Sequence, residues 1–597
     1  MGEGDSIVRV DLTTEAVTTE PVPAEWRRKY VGGKGLGARY LYEELEAGAD
    51  PLGGENALLF LTGPLTGHLP GEQRYVVVTK SPLTGAFLDS YAGGSMADRL
   101  AGSLGDHVGV LVTGRADEPV ALEVADGEVS IEPADDWWGL DAREVDERVP
   151  DAAVACIGPA GENVVSYATI ASDGGDHHAG RGGAGAVMGS KRLKAVVARD
   201  DAPESPPELR RLRERDEAAF ADDETGRWHA ASETVETVDF ANEVGVLPTR
   251  GWQKGRFDGA DSVGIEAVRE AAFERERADD PVPGGFRVGS DDGDTVPRGS
   301  TPIALGSGLG IDDFDAVATL GSICDRLAVD VISSGNAVAW AMRASEEGHL
   351  ERDLSFGDED DARTLIEEIA TRSSPLGDAL ADGVEAAADA YGADELIPSV
   401  KGMELPSYDP RGSAAMALAY ATSDRGACHR RARPVETEAI EGDWTIAERV
   451  VTVAAEQDRR AVLWSLIADD FFGEALTPDL GAEWLAASGR AADYDPAELQ
   501  RVGERIWTLV RLFNVREGFS RADDELPAQL TEPLEGGPND GNAVAAEAFE
   551  GMLDQYYEYR GWDKEGRPTP ETLERLGLAD LAVDAVTNAN AKRGDQQ

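Results

Sequence analysis

Up to about residue 200 the apolar residues come in short runs, at Ala57 to Leu61, Tyr75 to Thr79, Val108 to Thr113 and Ala153 to Ile157, separated by Gly- and Pro-rich turns. This is the pattern of β-strands. Val120 to Val124, then Asp126-Gly127, then Val129 to Ile131 predicts a hairpin, because Asp-Gly supplies the positive φ of a tight primed turn. Residues 200–207 are acidic and proline-containing and Glu208 opens a charged helix, which places the first domain boundary there. Beyond it the period becomes helical. Asp495-Pro496-Ala497-Glu498 offers an N-cap, a proline at the first helical position and a capping-box glutamate, after which Leu499, Val502, Ile506, Leu509, Val510 and Phe513 mark one face. Residues 445–472 follow the same rule, whereas Phe273 to Ser300, crowded with Asp, Gly and Pro, reads as a mobile loop. The expected class is α+β and multidomain, with a β-rich N-terminal domain over residues 1–205 and helices after it.

Composition changes this picture in one respect. A chain of 597 residues is too long for one core, so several domains are expected. The unusual quantity is charge: Lys+Arg 56 against Asp+Glu 114 gives −58, with only nine lysines among the basic residues. That much like charge strains a compact state in dilute buffer. At molar salt the Debye length falls to about 3 Å and the repulsion is screened. The balance therefore predicts a halophilic protein with a hydrated carboxylate surface, and argues against nucleic acid or an anionic membrane as partner. With no long apolar run and no basic-then-apolar leader, a cytoplasmic location is expected. Cys156, Cys324 and Cys428 are too far apart for a local metal-ligand spacing and too few for a disulfide framework, so each is expected to be a buried thiol.

The densest glycine segment is Gly180-Arg181-Gly182-Gly183-Ala184-Gly185. Glycines let backbone N–H groups approach phosphate oxygens, and the arginine adds a charged donor. A dinucleotide site needs a strand directly before it, and the polar residues Asp173 to His178 do not read as one, so a different phosphate-bearing cofactor is favoured over that site and over a tight structural crossing. Gly32-Gly33-Lys34-Gly35-Leu36-Gly37 has the same ambiguity. His177 and His178 point apart on extended chain, and read as solvated loop histidines rather than a metal pair.

More specific is Val400-Lys401-Gly402-Met403-Glu404-Leu405-Pro406, followed by Tyr408-Asp409-Pro410-Arg411-Gly412 and Thr422-Ser423-Asp424-Arg425-Gly426-Ala427-Cys428-His429. With Lys80-Ser81-Pro82-Leu83-Thr84-Gly85, Ile157-Gly158-Pro159-Ala160-Gly161-Glu162-Asn163, Gly310-Ile311-Asp312-Asp313 and Phe513-Asn514-Val515-Arg516-Glu517-Gly518, in that family's order, the chain resembles the aldehyde ferredoxin oxidoreductases. The resemblance implies a two-sheet N-terminal domain supporting a tungsten or molybdenum bis-pterin, covered by two mostly helical domains, here residues 206–400 and 401–597. By the same resemblance Arg74, the turn at Tyr91 and Gly93, and Ala179, Gly180 and Arg181 hold the pterins and the magnesium bridging their phosphates. The family has asparagine where Tyr91 stands. Its signature Asp-x-x-Gly-Leu-Asp falls on Asp325 to Asp330, with Val329 in the leucine place, and keeps both carboxylates for pterin N–H groups. A companion signature, Asp-x-x-Gly-Leu-Cys, falls on Trp464 to Asp469, where Ala468 and Asp469 take the last two places and the first acceptor is lost.

Two further departures bear on chemistry. The family's Cys-x-x-Cys-x-x-x-Cys belongs in Phe273 to Gly289 and its fourth cysteine at Asp469, yet no cysteine lies between Cys156 and Cys324, so no 4Fe–4S cluster of the family type is expected and electron exit to ferredoxin lacks its usual wire. Of the glutamate and histidine that handle protons beside the metal, His429 matches the histidine and Ser300 replaces the glutamate. The implied activity is oxidation of a small aldehyde to a carboxylic acid, with a homodimer implied by resemblance. The alternative is a non-catalytic, cofactor-poor member serving as a binding or assembly subunit.

Overall fold

The short apolar runs form two six-stranded mixed sheets in the computed structural model, which describes residues 5–393, 396–489 and 494–581. The first contains β1 (Ser6–Asp11), β2 (Ala16–Pro21), β3 (Leu58–Leu61), β4 (Tyr75–Lys80), β5 (Phe87–Ala92) and β6 (His107–Thr113), in the order β2-β1-β6-β3-β4-β5. The second contains β7 (Val120–Ala125), β8 (Glu128–Pro133), β9 (Ala153–Cys156), β10 (Ile170–Ser172), β11 (His177–Ala179) and β12 (Leu193–Ala198), in the order β11-β10-β9-β12-β7-β8. Alternation along β3 shows why the strand reads as unbroken apolar sequence. Leu58 and Phe60 face the second sheet, meeting Leu122, Val124, Ala155 and Val196, while Leu59 and Leu61 face helices. The β7–β8 hairpin turns through Asp126 and Gly127 at φ 52° and 77°, as its sequence predicts.

Helices follow, as the change of period anticipates. Gly33–Glu44 lies on the outer face of the first sheet, and Ile446–Leu466 and Pro496–Glu517 pack over it. A Cβ at Gly37 would come within 2.6 Å of the Val78 side chain, and one at Gly33 within 2.4 Å of the Trp464 carbonyl oxygen, so this glycine run serves close packing. Asp495 caps Pro496–Glu517 by accepting from Glu498 N at 2.8 Å, but the capping box is only half made. The Glu498 carboxylate turns instead to Arg501 and Arg505, since a charged partner outcompetes a backbone N–H on an exposed turn. Among the described residues no helix is long and apolar enough to cross a membrane.

Two expectations are corrected. Phe273 to Ser300 is not a loop throughout but carries an antiparallel sheet, β13 (Ala272–Arg275), β14 (Phe286–Ser290) and β15 (Gly293–Thr295). Phe286 and Val288 alternate inward onto Val235, Ile265, Val268 and Phe314, and the Asp, Gly and Pro residues mark its turns. The polar stretch before the glycine segment does form a strand, β11, because it is a three-residue edge paired antiparallel with β10, where one face meets a cavity rather than a core. An antiparallel hairpin is not the parallel unit a dinucleotide fold requires, so that exclusion stands.

A buried four-charge lattice ties the first sheet to the chain near residue 430. Lys34 Nζ contacts Asp89 at 3.2 Å and also Asp424, while Arg431 Nε donates to Asp424 at 2.9 Å and its other nitrogen to Asp89. Two cations balance two carboxylates, each side chain at most 3% exposed. Removing one member of such a pair strands charge in the interior. Lys34→Met should therefore lower the unfolding free energy by about 3–5 kcal/mol, measured by denaturant titration in molar salt; an unchanged midpoint would show that the lattice holds nothing together.

Candidate functional site

Two helix ends of the same construction contribute residues to one cavity, Asp325 and Asp330 from one and Asp469 and Asp470 from the other. Helix Phe314–Leu327 carries Asp325 in its last turn, ends on Ala328 in the left-handed region at φ 53°, and hands over to Asp330, which caps Val331–Glu346. Helix Ile446–Leu466 carries Trp464, ends on Ile467 at φ 55°, and hands over to Asp469, which caps Asp470–Ala475. A β-branched residue rarely holds this conformation, and Ile467 holds it at the place the matching signature gives to glycine. The two signatures read from the sequence are thus two copies of one corner.

The cavity has a volume of about 330 Å³, within the range of small-molecule sites. Of the residues expected at a site, Arg74, Tyr91 and Gly93 reach it from the first sheet, and Gly180 and Arg181 from the loop after β11. Ser300, Asp325, Val329, Asp330, His429 and Asp469 complete the set. Ala179 and Ala468 stand behind the wall, both buried. Gly180 is required here, since a Cβ would lie 3.0 Å from Asp330 Oδ2, which receives Arg181 N at 3.1 Å. Asp325 accepts from Thr295 Oγ1 at 2.8 Å and keeps acceptor capacity toward the cavity.

The wall is rich in arginine although the protein is strongly acidic. Arg74, Arg181, Arg425, Arg430, Arg431 and Arg433 all line it. The Nε–H groups of Arg74, Arg181, Arg425 and Arg430, and Nδ1 of His429, are buried with no hydrogen-bond partner among the described residues. A buried unmet donor costs about 1–3 kcal/mol, so these guanidinium groups are held at some cost to stability. Burial and the neighbouring Arg433, Arg430 and Arg181 push the His429 imidazole well below its usual value, which keeps it neutral. Cys428, which sequence reasoning left as an inert thiol, also lines the cavity; burial would raise its thiol, but Arg425, 3.1 Å away, and Arg431 outweigh burial and lower it.

The wall from β11 to the β13–β14 turn is different. His177 is not a solvated loop residue but buried between two carboxylates, with Nδ1 3.2 Å from Glu72 and Nε2 2.5 Å from Glu276. Its neighbour His178 points the other way, to Thr169 Oγ1 and the Gly175 carbonyl. Arg74 holds Glu72 at 2.9 Å, Arg298 holds Glu276 at 2.6 Å and Glu233 at 3.3 Å, and Arg277 lies 3.7 Å from Glu72. The ligand atoms of Glu72, His177 and Glu276 fall within 4.8 Å of one another. However, the imidazole offers opposite nitrogens to the two carboxylates and the guanidinium groups balance their charge, so the trio is a chain of ion pairs rather than a cage around one point. This chain occupies the segment to which the resemblance assigns three cysteines, and Asp469, paired with Arg74 at 3.2 Å, takes the place of the fourth. Four thiolates have no substitute in these side chains, so the residues do not fit a 4Fe–4S cluster.

Outside the expected set, the corner at 464–469 holds one more feature. Trp464 stacks on Tyr91 with ring centroids 4.3 Å apart, and Arg430 lies over the indole at 4.7 Å. Tyr91 in turn donates to Asp89 of the buried lattice at 2.7 Å. Lys34, Asp89, Glu72, Glu276 and Arg430 were not singled out from the sequence, because charged residues abound in this chain and nothing in their spacing marks them as buried.

A family model described as the aldehyde ferredoxin oxidoreductase N-terminal domain matches residues 7–200, and one described as domains 2 and 3 matches residues 212–578. Among curated relatives, the tungsten-containing aldehyde ferredoxin oxidoreductase of Pyrococcus furiosus is 33% identical, covering 97% of this chain and 100% of its own. That of Thermococcus kodakarensis is 34% identical with the same coverage. The WOR-like subunit of an aliphatic sulfonate oxidoreductase from Pyrococcus furiosus is 28% identical over 96% of this chain and 97% of its own. A chain of the active-site complex BamBC of benzoyl coenzyme A reductase, solved with 1,5-dienoyl-CoA, shares the fold with a TM-score of 0.79 at 22% identity, covering 99% of this chain and 98% of that one.

The ion-pair chain makes a pH-dependent contribution to stability. Burial would lower the His177 imidazole, but Glu72 and Glu276 outweigh it and raise it above its usual 6.5, so its contribution is complete below that pH and is lost as pH rises through the raised value. Burial would raise the Glu72 carboxyl, but Arg74 and His177 hold it down to about 2, so its contribution is complete above 4.5 and is lost as pH falls toward 2. Stability at fixed high salt should therefore decline on the alkaline side of pH 6.5 in the native chain, and His177→Gln should lack that decline in denaturant titrations across the same range; parallel curves would refute the pairing.

Proposed function

As a member of the aldehyde ferredoxin oxidoreductase family, the chain is an oxidoreductase, and we propose that it oxidises an aldehyde to a carboxylic acid at a tungsten- or molybdenum-pterin centre, with electrons leaving by a route other than the family's cluster. One observation carries this reading: the guanidinium side chains of Arg74, Arg181, Arg425 and Arg430 line the cavity that also holds Asp325, Asp330 and His429. The donors suit phosphate oxygens, and the carboxylates suit the N–H groups of a pterin. Tyr91 and Gly93 at the end of β5, with Gly180 and Arg181, would hold the phosphates and a magnesium ion, which would neutralise their charge. When bound, the metal-pterin supplies the two-electron couple.

The residues of the chain do the rest. Aldehyde and water become acid, two protons and two electrons, so a base must sit within reach of the reacting carbon. His429 is that base. It is neutral, its Nδ1 has no partner among the described residues, and its ring meets Tyr408 edge to face at 6.0 Å, which fixes its plane. Ser300, where relatives of this type carry an acid, orients by hydrogen bonding but carries no proton near neutral pH. The whole proton task therefore falls on His429.

Protein purified in molar salt should contain close to one tungsten or molybdenum per chain and reduce an artificial dye when given an aldehyde. Folded protein without either metal would overturn the catalytic reading. His429→Ala should lower kcat by about 10²–10⁴ at unchanged metal content, whereas Ser300→Ala should cost far less; equal losses would assign the base elsewhere.

A further inference from the structure

The two equivalent corners are not equally able to receive a pterin. Resting on the cofactor reading above, we infer that this chain holds one pterin per metal rather than two, because the Tyr91–Trp464–Arg430 stack fills the seat at the second corner.

At the first corner the residue in the opening place of the signature is Asp325, an acceptor that lines the cavity, with Thr295 Oγ1 at 2.8 Å from one carboxylate oxygen and His178 Nε2 at 3.3 Å from the other. At the second the same place holds Trp464, 1% exposed. Its only polar atom is the indole N–H, a donor, and it has no hydrogen-bond partner among the described residues. The N–H edge of a pterin would thus meet a donor where it needs an acceptor, and a buried donor facing a donor loses both hydrogen bonds. The closing residues of the two corners are alike, Asp330 receiving Ser333 N at 2.8 Å and Arg181 N at 3.1 Å, so the corners differ at their opening residue. Asp469 Oδ2 receives the backbone N–H groups of Phe471 and Phe472, both at 3.2 Å, and Oδ1 receives Arg74 at 3.2 Å.

Packing closes the seat. Tyr91 lies against the indole with centroids 4.3 Å apart and its hydroxyl is anchored on Asp89, so the ring cannot swing aside without breaking a hydrogen bond to the buried lattice. Arg430 covers the indole at 4.7 Å and also pairs with Asp470. A cation held over a buried indole is attracted to the face of the ring, and a second pterin would have to displace it. Near the first corner Gly180, Arg181 and Asp330 line the cavity, and Asp330 receives Arg181 N at 3.1 Å.

The measurement is pterin stoichiometry. Protein purified in molar salt is oxidised to release the fluorescent pterin derivative, which is counted against tungsten plus molybdenum and against chain concentration. One pterin per metal is the expected value. Two per metal overturn the inference while leaving the proposed function intact, and no pterin in folded protein overturns the proposed function itself. The double variant Tyr91→Asn with Trp464→Asp should raise the ratio from one toward two, read by the same assay and independent of turnover. A ratio that stays at one in folded double variant would overturn the assignment of the filled seat to these side chains. Should that variant fail to fold, the native ratio still decides.

Discussion

The geometry of the cavity hangs on one buried electrostatic unit, the lattice of Lys34, Asp89, Asp424 and Arg431. It joins a helix laid over the first sheet, the last strand of that sheet and the segment that carries Cys428 and His429. Burying four charges is favourable only when each finds its partners with good geometry, so the lattice fixes the register between pieces of chain some 390 residues apart. Tyr91 is anchored on Asp89, Trp464 on Tyr91 and Arg430 on Trp464, and His429, the proposed base, is the sequence neighbour of that arginine. The cavity is thus assembled outward from the lattice.

A second constraint is the contrast of charge between surface and cavity wall. The chain carries −58 overall, yet eight arginines line its cavity beside seven carboxylates. Surface carboxylates stay hydrated and are screened by salt, whereas buried guanidinium groups lie in a medium where an anion is strongly attracted. The wall from β11 to β13 obeys the opposite rule. There every charge found a partner, His177 included, and the segment that relatives use for thiolates became a closed run of ion pairs. Glu276 pairs there with His177 and Arg298, and Arg277 lies near Glu72, at the edge of the same cavity.

Much of this was legible beforehand. The period of the apolar residues separated sheets from helices, and the ordered motifs brought eleven expected site residues to one cavity wall. What sequence could not supply was burial. Phe273 to Ser300 looked like loop because turn residues outnumber the few inward positions, Phe286 and Val288, that make it a sheet. His177 looked solvated because its partners, Glu72 and Glu276, lie 105 and 99 positions away along the chain. Trp464 was visible only as a lost acceptor. That it also stacks on Tyr91, another departure from the family pattern, is a fact of three dimensions, and it turns two unrelated substitutions into one altered corner.

The central claim is an oxidoreductase centre that works without the family's cluster. Electron paramagnetic resonance of the aldehyde-reduced, anaerobic protein, with iron counted in the same sample, addresses it most directly. A signal from a mononuclear tungsten or molybdenum centre, with iron far below one cluster per chain, is the expected outcome. A reduced 4Fe–4S signal at four irons per chain would mean that the ion-pair chain of His177 does not stand where the cluster was lost, and the account would fail.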